Sequence, residues 1–324
     1  MKRASLLSGL LGIGIACAVS ATVARAQDPP DAAARAQNPT EEEGAWPARH
    51  IDAGLLFSNS YDSNINHDAE PVSSYGVVPG LRVRYLSSPQ KPLYTLVYTV
   101  ALHSYTNTDR WDRVSHQFTA LYAPKLSDRL RAQTSATVSL RGSSEDRDIS
   151  NQFLLGHEFE FRIDRNHRLY LYGTYRLKRF PDKPENNAFK PNVGLDFERR
   201  LPGGRRWGVG VRYEIKRRDN PRSDYGRWTF SLEYRTAYFG GGNQIRLGAK
   251  YRRKYYAHKL VTIEKQDVLR RDQRWTLGLA WRRTFGRGFL VELGYKFENR
   301  DSNDPAKLYH AHLVELAFAY DLWR

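Results

Sequence analysis

Cysteine is nearly absent: Cys17 is the only one in 324 residues, and it lies in a segment expected to be removed from the mature chain. Without a second thiol no disulfide can form, and the zinc sites built from paired cysteines are excluded. Long apolar runs are scarce as well. Beyond the first residues no stretch approaches the roughly twenty apolar positions that a membrane-crossing helix requires. Helical periodicity is missing too, so nothing in the chain offers an amphipathic helix to cover the apolar side of a sheet. Acid is in deficit, with 35 Asp and Glu against 51 Lys and Arg, a net charge of +16.

What is present begins with a basic start at Lys2 and Arg3, an apolar stretch from Leu6 to Val19, and the small-x-small pattern Ala24-Arg25-Ala26 before Gln27. This pattern predicts a secretory signal peptide over 1–26. The same four residues recur at Ala34 to Gln37, which leaves cleavage after Ala36 open, although that site lies far from the apolar stretch. Gly14, Ile15 and Ala16 precede Cys17 where a lipid-attachment site usually carries Leu three residues before its cysteine, so lipidation is not expected. Loss of Lys2, Arg3 and Arg25, three bases and no acid, takes the charge from +16 to +13. A sequence pI of 9.9 would suggest nucleic acid in a cytosolic protein. In an exported chain whose bases are spread along its length, no nucleic-acid partner is expected.

From about Ile51 onward the dominant period is two. Phe289, Val291, Leu293, Tyr295 and Phe297 alternate with Leu290, Glu292, Gly294, Lys296 and Glu298, the mark of a strand with one apolar face. The pattern recurs about fourteen times, and its polar face is too densely charged to be the interior of a soluble sandwich. The predicted fold is all-β: a transmembrane antiparallel up-and-down β-barrel of about fourteen strands, with twelve or sixteen left open. A mean hydropathy of -0.65 fits, because a barrel strand shows lipid only half of its residues. The expected domains are the signal peptide at 1–26, a flexible periplasmic lead at 27–48 and the barrel at 49–324. The lead is rich in Ala, Pro and acid, including Glu41-Glu42-Glu43, and has no apolar period.

Connections set the topology. Short turns are read at Ser87 to Lys91, Lys125 to Asp128, Asp164 to His167, Pro202 to Gly204, Gly240 to Gly242 and Gly286 to Gly288. Between them fall longer polar loops at Tyr61 to Ser74, Thr106 to Asp112, Gly142 to Asp148, Pro181 to Asn187, Asp219 to Asp224, His258 to Arg271 and Arg300 to Lys307. Alternation of short and long predicts periplasmic turns at one end and extracellular loops at the other. Whether 258–271 folds inward as a gate stays open. The last strand, with Val314, Leu316, Phe318, Tyr320 and Leu322 in phase, resembles the signature read by barrel assembly machinery, here followed by Trp323-Arg324. Trp228 and Trp275 are assigned to an outer aromatic girdle and Trp207 and Trp281 to an inner one, joined by Tyr85, Tyr122, Tyr213 and Tyr238. The implied location is the bacterial outer membrane, in contact with lipid and lipopolysaccharide.

The polar phase supplies the candidate site. It carries Arg82, Arg84, Arg131, Arg176, Lys178, Arg206, Arg212, Lys216, Arg218, Arg246, Lys250, Arg252, Lys254, Arg282 and Lys296. Arg141 and Arg168 lie in the same phase, and Glu158, Glu160, Asp196, Glu198, Glu214, Glu233, Glu292 and Glu315 oppose them. A surplus of base inside a low-dielectric wall focuses a field that favours anions. Cross-strand pairing of the same groups would instead fill the lumen. Inward glycines such as Gly208, Gly210, Gly248, Gly278 and Gly294 are read as opening some width, although glycine in a barrel strand more often eases the bend. The expected function is a channel or transporter with a basic, anion-leaning lumen.

Enzyme chemistry is not expected. His103 near Ser104, and His310 with His312, are the best candidates for acid–base work, but no spacing fixes a third partner, so a rim-located enzyme is the weakest reading. No cofactor or metal is expected either: Asp62, Asn64, Asn66, His67 and Asp68 offer oxygen ligands without the glycine and terminal Glu of a calcium loop.

Tyr61-Asp62-Ser63-Asn64-Ile65-Asn66, with Arg271-Asp272 leading into Trp281-Arg282-Arg283-Thr284-Phe285-Gly286 and then Tyr295 to Arg300 and Ser302-Asn303, resembles the C-terminal barrel of surface lipoprotein assembly modifiers. The resemblance covers the barrel only. It implies about fourteen strands and an alternative role in exporting or assembling a surface polypeptide or lipoprotein. That family carries a periplasmic helical-repeat domain before its barrel, and nothing between Gln27 and Ala48 is expected to fold into one.

Overall fold

The structure, a computed structural model, describes residues 51–322 apart from 66, 68, 70, 88–92, 108–111, 144–150, 182, 238–242 and 286–287. The signal peptide, the lead at 27–48, Asn66, Asp68, Tyr238, the Gly240 to Gly242 turn and Trp323-Arg324 lie outside the described residues. Fourteen strands follow one another: β1 (Ile51–Asp62), β2 (Ser74–Leu86), β3 (Tyr94–Tyr105), β4 (Arg113–Tyr122), β5 (Leu130–Ser143), β6 (Asn151–Arg162), β7 (His167–Arg179), β8 (Ala188–Arg200), β9 (Arg206–Arg218), β10 (Tyr225–Ala237), β11 (Asn243–Ile263), β12 (Gln266–Phe285), β13 (Phe289–Ser302) and β14 (Tyr309–Asp321). Each pairs antiparallel with its sequence neighbours, and β14 returns to β1 to close the barrel. No helix among the described residues is long and apolar enough to cross a membrane.

Closure removes the sheet edge. The β1–β14 seam pairs Gly54 with Asp321 and Phe57 with Phe318, and the Phe318 ring lies 6.3 Å from Phe57 and 6.0 Å from Phe289. Alternation then does what the period of two requires. Leu55, Tyr98, Phe118, Val138, Phe159, Leu195, Leu232, Leu277 and Leu293 point away from the axis and stay exposed. Their chain neighbours turn inward, where Ser58, Thr95, Asp196, Thr229, Asp272 and Glu298 are buried. An apolar exterior over a polar interior is the reverse of a soluble core.

The two ends differ. At one, where β1 begins and β14 finishes, Asp164 Oδ1 accepts the backbone N–H groups of Asn166 and His167 at 2.7 and 2.9 Å, and its other oxygen holds His167 Nδ1 at 2.8 Å. The hydrogen bond from His167 holds this exposed carboxyl below the usual carboxylate range. At the other end three short 3-10 turns, Pro184–Asn186, Pro221–Ser223 and Pro305–Lys307, sit in the connections. The stretch from His258 to Arg271, expected as a loop, is instead a continuation of β11 and β12 beyond the rim, closed by the two-residue turn Glu264-Lys265. Val261, Thr262, Ile263 and Val268 explain the difference: β-branched residues favour an extended ladder once a tight turn brings the strands together. Arg300, expected in the last loop, also remains in β13, paired with Tyr309.

Candidate functional site

Strand register decides which side chains share the lumen. On β2, Arg82 and Arg84 lie opposite Gly54 and Asp52, and both are committed to acids near the seam: Arg82 donates to Asp321 at 2.9 Å, and Arg84 to Asp52. Arg131 on β5 faces Glu160 across the β6 ladder, while Glu160 takes its ion pair from Arg168 at 2.7 Å. These residues stand apart from the remaining basic positions, which gather on the wall from β7 to β13. Arg176 and Lys178 come from β7, Arg206, Arg212, Lys216 and Arg218 from β9, and Arg246, Lys250, Arg252 and Lys254 from β11. Arg282 on β12 and Lys296 on β13 complete the expected set in the same phase.

Within that wall the structure adds cations that sequence reasoning did not single out. Arg227 on β10 pairs with Glu214 at 2.8 Å, Arg274 on β12 pairs with Glu298, and Arg300 pairs with Asp272 at 2.7 Å. Lys190 on β8 lies opposite Arg176. Two of these had a readable signal: Arg227 and Arg274 each precede a girdle tryptophan, Trp228 and Trp275, so the phase of the outward rings assigns them inward. Arg300 lies in the polar stretch 300–307, whose composition implies a loop, whereas β13 runs on into it.

The wall is organised in transverse rows. One row runs Arg212, Thr229, Arg252, Arg274, Arg300 and Tyr309 across β9 to β14; the next toward the rim runs Glu214, Arg227, Lys254, Asp272 and Ser302. Asp272 is the acceptor hub. It is 3 % exposed, takes Arg270 at 2.9 Å, Arg300 at 2.7 Å and Ser302 Oγ at 2.7 Å, and lies 3.8 Å from Lys254. Glu298, at 2 % exposure, accepts the Tyr309 hydroxyl at 2.5 Å and Arg274. His67 of the first loop reaches in to the same carboxylate, 3.6 Å away, and to Asp62 at 3.7 Å, with its ring 5.2 Å from Tyr309. A cleft of about 40 Å³ opens between Arg227, Arg252, Lys254, Asp272, Arg274 and Arg300.

The glycines do more than give width. A Cβ on Gly210 would meet Asp196 Oδ1 at 2.0 Å, and one on Gly194 would meet the Tyr172 ring at 2.4 Å; these positions are small so that larger inward groups can lie across them. Outside, the girdle residues Trp207, Trp228, Trp275, Trp281, Tyr85, Tyr122 and Tyr213 fall on the apolar phase. Tyr213, Trp228, Phe230, Tyr251 and Trp275 form a continuous band, with successive ring centroids 4.7, 6.4, 6.4 and 4.6 Å apart.

Among the described residues the candidate catalytic histidines are not assembled into a triad. His103 Nε2 lies 3.0 Å from Ser115 Oγ on the next strand; Ser104, the neighbour named from sequence, is on the opposite face. The Nδ1 of His103 is buried with no described hydrogen-bond partner. His116 and His312 face outward onto tyrosine hydroxyls of Tyr98 and Tyr295 at 2.9 and 2.8 Å, and His157 onto Thr134 at 3.0 Å. Among the described residues no group of His, Asp and Glu has the arrangement of a metal site.

Comparison with known proteins agrees with this architecture. The profile of the surface lipoprotein assembly modifier family matches residues 150–319, which is β6 through nearly all of β14 and more than half of the chain. The chain belongs to that family. No curated protein matches this assembly-modifier barrel by sequence. Among solved structures, a bacterial polysaccharide outer membrane secretin superposes with a TM-score of 0.53 at 11% identity, covering 85% of this chain and 100% of that one. An anion-selective porin from Comamonas acidovorans gives 0.49 at 9% identity over 84% and 98% of the two chains. An outer membrane channel from Pseudomonas putida F1 gives 0.47 at 9% identity over 87% and 100%. The first of these likenesses is one of fold: this family member is a closed β-barrel of the outer-membrane type.

Proposed function

We propose that this barrel spans the outer membrane as a conduit whose wet, cation-rich lumen favours anions, with the loop-bearing end outside and both termini on the periplasmic side. The observation that carries the reading is the transverse order of the β7–β13 wall. Arg176, Arg212, Arg246 and Arg252 have no carboxylate within ion-pair distance among the described residues, and on the whole inward face bases exceed acids by roughly two to one. Such a surplus, held by a low-dielectric wall, attracts anions and repels cations along the axis. The exposed apolar band and its aromatic girdle supply the lipid contact, and the outer rim meets lipopolysaccharide.

The reading assigns no catalysis. Among the described residues His103 reaches Ser115 through Nε2, and no carboxylate orients its buried Nδ1 as a general base would need.

In planar bilayers the refolded protein is expected to conduct with chloride preferred over potassium. Arg176→Glu combined with Arg212→Glu, two positions outside any ion pair, should lower or reverse the preference without unfolding the barrel. An insulating protein, or a selectivity indifferent to both substitutions, would falsify the proposal.

A second reading follows from the family match over β6–β14: the barrel assists the surface assembly of a lipoprotein, as the family's name describes. Deletion in the native host should then deplete a lipoprotein from the cell surface while leaving its total amount unchanged; unaltered surface display removes this reading.

A further inference from the structure

The row Arg252, Arg274 and Arg300 places three guanidiniums side by side on three adjacent strands, each the direct cross-strand neighbour of the next. Like charges placed directly opposite repel, so a sheet carries such a row only where something neutralises it. Two of the three are provided for: Arg274 by Glu298, and Arg300 by Asp272. Arg252, the end member, has no carboxylate partner among the described residues, and its buried Nε makes no hydrogen bond. The next row adds Lys254 and Arg227 on the same side. These five cations and the single acid Asp272 enclose the cleft of about 40 Å³. A water needs roughly a quarter to a third of that space, so the cleft holds one phosphate-sized group in place of a few waters.

We propose that this cleft is an oxyanion-binding station that takes a phosphate group, with Arg252 as its principal ligand. The chemistry favours a tetrahedral dianion over a carboxylate. Donors converge from four strands, guanidinium forks match the edges of a phosphate, and the charge surplus of the lining exceeds what one negative charge offsets. The station faces the lumen, whereas the flanking residues Tyr251 and Arg253 face outward, so its ligand is a phosphate or phosphomonoester in the aqueous path and not a lipid headgroup. The proposal rests on the reading of the lumen as a wet conduit, and deepens it by naming the solute class.

Isothermal titration of the full mature barrel, refolded in detergent, with inorganic phosphate and separately with acetate tests it. Phosphate should bind, with acetate at least tenfold weaker. Arg252→Gln should weaken phosphate at least tenfold, Arg252→Lys should recover part of the loss, and Arg199→Gln on the outer face should change nothing. The heat-dependent gel mobility of each variant reports whether its barrel is closed. No phosphate binding by the closed wild-type barrel, or unchanged affinity in closed Arg252→Gln, overturns the station. Calorimetry detects binding whether or not ions pass. Selective conduction without phosphate binding therefore removes the station and spares the conduit, and phosphate binding to an insulating barrel does the reverse.

Discussion

Asp272 shows how much a single inward carboxylate can hold. It accepts from Arg270, Arg300 and Ser302 and sits within reach of Lys254 and Tyr256, so its loss strands the Arg300 guanidinium and leaves the buried Arg270 only Asp304, 3.0 Å away. Removing one member of a buried ion network costs more than the network's net worth, because the partner charge stays desolvated. Asp272→Ala is therefore expected to destabilise the barrel by about 3 kcal/mol, and Asp272→Asn, which keeps one acceptor, by less. Urea midpoints in micelles check this; two variants indistinguishable from wild type would mean that water already solvates the network. The inward phase of Arg252 and Lys254 was legible, since their outward neighbours Tyr251 and Tyr255 mark the other face. The partnering of Arg274 with Glu298, two residues offset across the ladder, was not. It depends on register between strands, which a period of two within each strand does not specify.

Among the elements, the β11–β12 hairpin departs most from what its sequence implied. The polar character of His258 to Arg271 suggested a longer loop. The structure makes a two-residue turn there, with φ of 49° at Glu264 and 66° at Lys265. Both are left-handed, the geometry that normally selects Asn-Gly, and non-glycine residues in it carry strain. The register slips between Tyr255 and Leu260, so the outer part of the hairpin is uncoupled in phase from the barrel wall. A sequence pattern that changes phase part-way along a strand reads as irregular, which is why the extension was hidden while the regular strands β9, β10 and β13 were plain. Replacing Glu264-Lys265 by Asn-Gly should relieve about 1 kcal/mol of local strain. Slower amide exchange at Val261 and Val268 would record it, and faster exchange would contradict the turn.

For the whole molecule, the decisive property is that each strand divides the same solvent problem in two. Half of its side chains are too apolar for water and the other half too charged for lipid, and the closed ring in a membrane proposed above is the arrangement that satisfies both. Closure was legible in advance, because every strand has one apolar face with no helical period to cover it, while the other face is too densely charged to be the interior of a sandwich. Two adjacent residues on β5 isolate the claim from local packing. Val138 is 40% exposed on the outer phase, whereas Ser139 turns inward between Gln117 and Gln152. An arginine near the bilayer midplane costs about 2–4 kcal/mol on the lipid face, while an arginine in an aqueous lumen keeps its hydration. Val138→Arg should therefore lower the unfolding free energy from urea titration in lipid vesicles by that amount, and Ser139→Arg by less than about 1 kcal/mol. Detergent micelles, which thin around a charge, should narrow the gap. Equal costs at the two positions in vesicles would mean that both faces meet the same medium, and the barrel would then not be a membrane wall.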